Sequence, residues 1–109
     1  MESIKNDIID NKLRWDLLPL DLIEKIVEVF SFGAKKYSPN TWQKLPDGYN
    51  RYKAAMLRHL TAHEKGELYD KESGLPHLAH MAWNAIALLY FALKKEKHHE
   101  SHCHQSENG

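Results

Sequence analysis

Cysteine is nearly absent. Cys103 stands alone among 109 residues, so no internal disulfide can brace this chain, and its stability rests on packing, with a bound metal as the other available source. Net charge is missing too, because Lys plus Arg and Asp plus Glu both total 15. No overall field draws the chain to nucleic acid or to an acidic membrane, and any anion must be held by a local cluster. The opening MESIKNDIID lacks the basic-then-apolar order of a secretory signal. The richest apolar run, between Gly74 and Leu93, is interrupted by His77, His80 and Asn84 and so does not read as a membrane span. These absences point to a cytoplasmic protein with neither a nucleic-acid nor a membrane partner. A glycine-rich phosphate loop, a Ser-His-Asp or Cys-His catalytic set, internal repeats and convincing strands are also missing.

What is present is a polar stripe on an apolar helix. His77, His80 and Asn84 recur at i, i+3 and i+7, which sets them on one helical face. An unpartnered buried imidazole or amide costs roughly 1–3 kcal/mol, so the three must meet partners, a metal or a ligand. A chain of this size suits one domain with a modest core. Its fold class is all-α, a small bundle of three principal helices. The third helix is apolar nearly all round and two shorter helices cannot cover it; a second copy of the chain is expected to complete the bundle as a homo-oligomer.

Residues 1–19 read as a polar N-terminal arm, residues 20–97 as the helical domain, and residues 98–109 as a disordered His-rich tail. The first helix is expected over about 20–36, with Asp21 and Glu24 as a capping box. Ser38-Pro39-Asn40 stops it, and Leu45-Pro46-Asp47-Gly48 forms a turn. Asn50 is the expected cap of a second helix that ends near Gly66. Its spacing aligns His59, His63 and Glu67, with Glu64 adjacent. Ser73 is placed to cap the third helix, over about 74–97, with Pro76 in its first turn.

The short link makes helices two and three antiparallel, so the His59/His63/Glu67 face meets the His77/His80/Asn84 face. Bundle cores build metal sites this way, and Asp70 and Glu72 in the link add oxygen donors. The competing reading is a structural network in which the histidines and Asn84 bond only one another and backbone. A mixed imidazole and carboxylate set favours manganese, iron, cobalt or zinc over magnesium. A second constellation is cationic and aromatic: Lys12, Arg14, Lys35, Lys36, Tyr37, Trp42, Arg51, Tyr52 and Arg58 are suited to a triphosphate and a base, though ordinary on a surface too. Trp15 and Trp83 read as core. The tail from His98 to His104 has metal-ligand residues without a framework, which reads as adventitious affinity.

The segments NKLRWDLLPLDLIEKI, FGAKKYSPNTW, RYKAAMLRHLTAHEKGE and DKESGLPHLAHMAWNAIALL resemble the phage and prophage dATP/dGTP diphosphohydrolase N-terminal domain family, over about residues 10–93. The resemblance implies a helical, divalent-cation-dependent pyrophosphohydrolase that converts a purine deoxynucleoside triphosphate to monophosphate and diphosphate. It points to His59, Glu67 and Arg58 as catalytic residues. Toward the nucleotide it points to Lys12, Arg14, Lys36, Tyr37, Trp42 and Asn84. The metal set combines Asp70, His77, His80 and Glu67 with Glu64 of a Glu64-Lys65-Gly66-Glu67 run that is similar to the ExxE of MazG-like enzymes; His77-Leu78-Ala79-His80 stands where those have ExxD. The cation is manganese, cobalt, iron, zinc or magnesium. Two other functions fit the same residues: a non-catalytic binder that sequesters a nucleotide or cyclic nucleotide, and a structural metal-binding bundle.

Overall fold

The computed structural model describes the backbone of residues 11–108 and the side chains of residues 11–96. Three helices make the fold: α1 (Leu20–Lys36), α2 (Gly48–Glu64) and α3 (His77–Asn108). Short 3-10 turns at Trp15–Leu17 and Thr41–Lys44 precede and follow α1. Among the described residues there is no strand, only an isolated bridge between Tyr69 and Pro76, so the expected all-α class holds. No described helix is long and apolar enough to cross a membrane.

α1 begins and ends where its flanking prolines require. Pro19 precedes it, and the carbonyl of Pro19 accepts from the N–H groups of Leu22 and Ile23. The expected capping box does not form, since no side chain caps this end. Pro19 already sets the chain at the helix start. The cap of α2 is Asp47, three residues before the expected Asn50. Asp47 enters in the left-handed region with φ 55°, and the Asn50 amide donates back to Asp47 Oδ1 at 2.9 Å. Gly48 can then lie flat beneath the Phe91 ring; a Cβ there would stand 2.4 Å from Phe91 Cζ.

The end of α2 is a Schellman motif. Gly66, at φ +102°, donates to the carbonyl of His63 and Glu67 donates to that of Ala62. These bonds satisfy the last carbonyls of the helix and reverse the chain. The link then folds as a tight loop, with Asp70 N–H donating to Leu75 and His77 N–H to Leu68. It returns the chain so that α3 runs antiparallel to α2. α3 starts at His77, three residues later than expected, and its backbone is helical to Asn108, past the expected end near 97. Residues 1–10 of the arm, and the side chains of the His-rich tail, lie outside the described residues.

α1 packs against α3 and not against α2, and the space between α1 and α2 stays open. Trp42, from the second 3-10 turn, wedges into this gap. Its indole meets Phe30, Trp83, Tyr90 and Phe91 edge-on, at centroid distances of 6.4, 5.6, 5.1 and 6.4 Å. Such edge contacts match ring edges to ring faces. Trp15 is not core: it is 72% exposed on the first 3-10 turn, because that turn has no helix packed over it.

Candidate functional site

The polar seam between α2 and α3 is a linked set of imidazoles and carboxylates. His77, 4% exposed, sits at the first turn of α3. Its Nε2 lies 2.8 Å from Glu67 Oε2, and its Nδ1 lies 2.8 Å from His59 Nδ1. A carboxylate only accepts, so Nε2 of His77 carries the proton and donates to Glu67, which leaves Nδ1 with a lone pair aimed at His59. His59 in turn stacks on His80, with centroids 4.6 Å apart and planes 11° from parallel. His80 Nε2 lies 2.7 Å from Ser73 Oγ, which donates at 2.9 Å to Asp70 Oδ2. The Ser73 N–H donates to the same oxygen at 2.9 Å.

The electrostatics follow from this packing. Burial, reinforced by the charges on His80 and His77, pushes the His59 imidazole down to about 4. Burial lowers His80 as well, partly opposed by Asp70 and Glu72. Burial alone would raise Asp70, but the N–H and hydroxyl of Ser73 outweigh it and hold the carboxyl below its usual value. The hydrogen bond from His77 lowers Glu67. At neutral pH the cluster is therefore two neutral imidazoles, His59 and His80, beside two carboxylates, which is the protonation state a cation needs.

One ligand atom each from His59, Asp70 and His77 lies within 4.8 Å of the others. Two ligands on a tetrahedral ion stand about 3.3 Å apart, so for the two Nδ1 atoms, 2.8 Å apart, to share one they would separate by about half an ångström and His59 would carry its proton on Nε2 instead. The contact from His77 Nε2 to Glu67 is the carboxylate support that metal-bound histidines characteristically have. These residues fit a borderline divalent ion.

The cluster forms one end of a cavity of about 1090 Å3 between α1, α2 and α3. One wall is aromatic, from Phe30, Trp42, Tyr52 and Trp83. The cavity lining also includes Lys36, Arg51 and Arg58, together with Asp70, Glu72 and His80. Lys36 is paired with Glu72, which raises its amine's affinity for its proton; no ion pair is found for Arg51 or Arg58 among the described residues. Asn84, 3% exposed, lines the cavity, and its buried Oδ1 has no hydrogen-bond partner among the described residues. An orphan acceptor costs about 1–3 kcal/mol, so its presence in a cavity wall marks a place where a donor from a ligand would be recognised.

Of the residues singled out from sequence, the fold brings together His59, Glu67, Asp70, His77 and His80, with Arg58, Lys36, Tyr37, Trp42 and Asn84 on the adjoining cavity. Glu64 is exposed at the end of α2 and belongs neither to the metal-ligand group nor to the cavity wall. Lys12 and Arg14 are not on that wall; Arg14 instead binds Asp16 through two hydrogen bonds of 2.7 and 2.5 Å. His63 lies outside the cavity wall, and its Nδ1 is buried without a hydrogen-bond partner among the described residues. Two residues do more than their sequence pattern shows. Trp83 read as core and lines the cavity; Ser73 read as a cap and bridges Asp70 to His80. The spacing of seven between Ser73 and His80 was the available signal for the second.

Residues 2–101 match the family model described as dATP/dGTP diphosphohydrolase, N-terminal. The chain is also similar to the dATP/dGTP diphosphohydrolase of Salmonella phage PMBT28, with 38% identity over 69 residues. That match takes in 59% of this chain and 23% of the relative, so the chain spans under a quarter of the protein it resembles. No solved structure matches it.

Proposed function

The chain belongs to the dATP/dGTP diphosphohydrolase N-terminal family, and on that premise we propose that it is a divalent-metal-dependent pyrophosphohydrolase of purine deoxynucleoside triphosphates. Water is consumed, one phosphoanhydride bond breaks, and a nucleoside monophosphate and diphosphate are released. The observation that carries this reading is a cavity whose lining joins aromatic rings, two arginines without an ion pair among the described residues, and His59 and Asp70 of the His59/Asp70/His77 cluster.

The base lies against Trp42, Tyr52 and Trp83, and Asn84 Oδ1 takes a hydrogen bond from the nucleoside. Arg51 and Arg58 hold the phosphates in forked contacts, and Lys36 joins them when the nucleotide competes with Glu72. His59, Asp70 and His77 would hold the cation, with Glu67 fixing the ring of His77 through Nε2. A bound ion supplies Lewis-acid polarisation of a phosphoryl oxygen and lowers the pKa of water. With its basicity pushed down to about 4, His59 suits a ligand better than a proton acceptor at neutral pH. His80, on the cavity wall and braced through Ser73 to Asp70, takes the proton of the attacking water.

The test is incubation with a panel of ribo- and deoxynucleoside triphosphates plus manganese, cobalt or magnesium, with separation of the products. We expect monophosphate and diphosphate from dATP and dGTP, and the loss of both in Asp70→Ala and His77→Ala with helix content unchanged. Turnover retained in both variants would remove the cluster from the mechanism. A second reading is favoured by the short span of the match: this chain binds the nucleotide and the rest of a longer relative does the chemistry. Unchanged nucleotide across the panel, with stoichiometric binding by calorimetry, would support it.

A further inference from the structure

The hydroxyl of Ser73 is fully engaged, and that fixes the two side chains it touches. A serine hydroxyl has one proton to give and two lone pairs to receive with. Around Ser73 Oγ stand Asp70 Oδ2 at 2.9 Å, the Leu75 N–H at 3.2 Å and His80 Nε2 at 2.7 Å. Asp70 only accepts, so the hydroxyl proton goes to it, and the Leu75 N–H takes one lone pair. The other lone pair faces His80 Nε2, which is therefore a donor. Turning the hydroxyl proton toward His80 would leave Oγ and Asp70 Oδ2 opposed at 2.9 Å with no hydrogen between them. In a site where the His80 side chain is only 13% exposed, two opposed acceptors are the costlier arrangement. Neutral His80 thus carries its proton on Nε2 and its lone pair on Nδ1.

The two oxygens of Asp70 are divided by the same residue. Oδ2 receives both the N–H and the O–H of Ser73, at 2.9 Å each, which fills its lone pairs and leaves Oδ1 for another partner. His80 Nε2 lies 3.8 Å from Oδ2, too far for a direct bond. The carboxylate reaches the imidazole only through Ser73.

We propose that Ser73 is a positioning residue: its hydroxyl selects the tautomer of His80, so that Nδ1 is the proton-accepting nitrogen, and holds Asp70 so that Oδ1 is the oxygen offered to the cation. The catalytic half of this rests on the hydrolase reading, and the tautomer does not. In that reaction water gives a proton to Nδ1 while its oxygen bonds phosphorus. The phosphoanhydride P–O bond breaks and its electron pair leaves with the departing phosphate. The imidazolium keeps its Nε2 proton on Ser73, with the charge of Asp70 behind it.

The experiment reads the tautomer first, from the ring-nitrogen NMR shifts of His80 in the chelator-treated full chain at neutral pH, assigned by their loss in His80→Gln. Wild type and Ser73→Thr should show Nε2 protonated and Nδ1 bare, and Ser73→Ala should show the proton shared between the two nitrogens. Turnover of dATP at saturating manganese comes second. In Ser73→Ala we expect kcat to fall about 10- to 100-fold, the usual cost of losing such a support, with KM and circular dichroism little changed and kcat restored in Ser73→Thr. A bare Nε2 in the wild type, or Ser73→Ala with either the wild-type tautomer or the wild-type kcat, would overturn the proposal. A wild-type chain with Nε2 protonated and no turnover would instead sink the hydrolase reading and support the tautomer.

Discussion

Burial pushes the His59 imidazole down to about 4, and the sign of that shift fixes the response to acid. The unfolded chain has an ordinary imidazole near 6.5, so between those values it binds more protons than the folded one, and stability rises with pH. The contribution is complete above about 6.5 and is lost as pH falls toward 4. His80 is lowered too, and acts in the same direction. The depressed carboxyls of Asp70 and Glu67 extend the loss to lower pH as they take up protons. We expect the melting temperature of chelator-treated protein to drop between pH 7 and pH 5, and the drop to be smaller in His59→Gln. An equal drop in both would place the acid sensitivity elsewhere. Glu67 has a separate role as the support of His77. Glu67→Gln should weaken divalent-metal affinity by about 10- to 100-fold, the usual range for such an outer partner, with little change in fold; calorimetric titration measures it.

Elements differ in how plainly the sequence announces them. The bounds of α1 were legible because Pro19 and Ser38-Pro39 bracket an amphipathic run, and the end of α2 was legible because Gly66 takes the left-handed conformation a Schellman motif needs. The start of α2 was not. It depends on Asp47 entering with positive φ and on Gly48 lying under Phe91, a contact between residues 43 positions apart that no local pattern encodes. We expect Gly48→Ala to force the Phe91 ring aside and to cost about 1–3 kcal/mol, seen as a melting temperature several degrees lower. Gly48→Ala with unchanged stability would mean that the ring moves freely. The polar stripe of His77, His80 and Asn84 was legible as a debt that partners had to satisfy. Its partners could be narrowed to α2 and the link by the shortness of the connection, and the structure supplies His59 and Glu67 for His77 and Ser73 for His80, while Asn84 Oδ1 has none among the described residues. Trp83 was unreadable in this respect, since hydrophobic periodicity shows that a ring faces inward but not that the interior beside it is hollow.

At the scale of the whole molecule, the distinctive feature is that α1 leans on α3 alone while the cavity separates it from α2. An element with few buried contacts opens locally more often than the rest; in α1 only Val29 is fully buried. Amide exchange in Leu20–Lys36 should therefore be faster than in the first turns of α3, and should slow when nucleotide fills the gap and joins the aromatic wall to α2. Exchange in α1 that ignores saturating nucleotide would place the ligand elsewhere. The proposed hydrolysis requires that His59, Asp70 and His77 hold one divalent ion, and the tail histidines would obscure that in any simple metal assay. The decisive measurement is metal stoichiometry by calorimetry with manganese or zinc on a chain in which His98, His99, His102 and His104 are replaced by alanine. One ion per chain, lost on further change of His77→Ala, is the predicted result; binding that disappears with the tail histidines alone would contradict it.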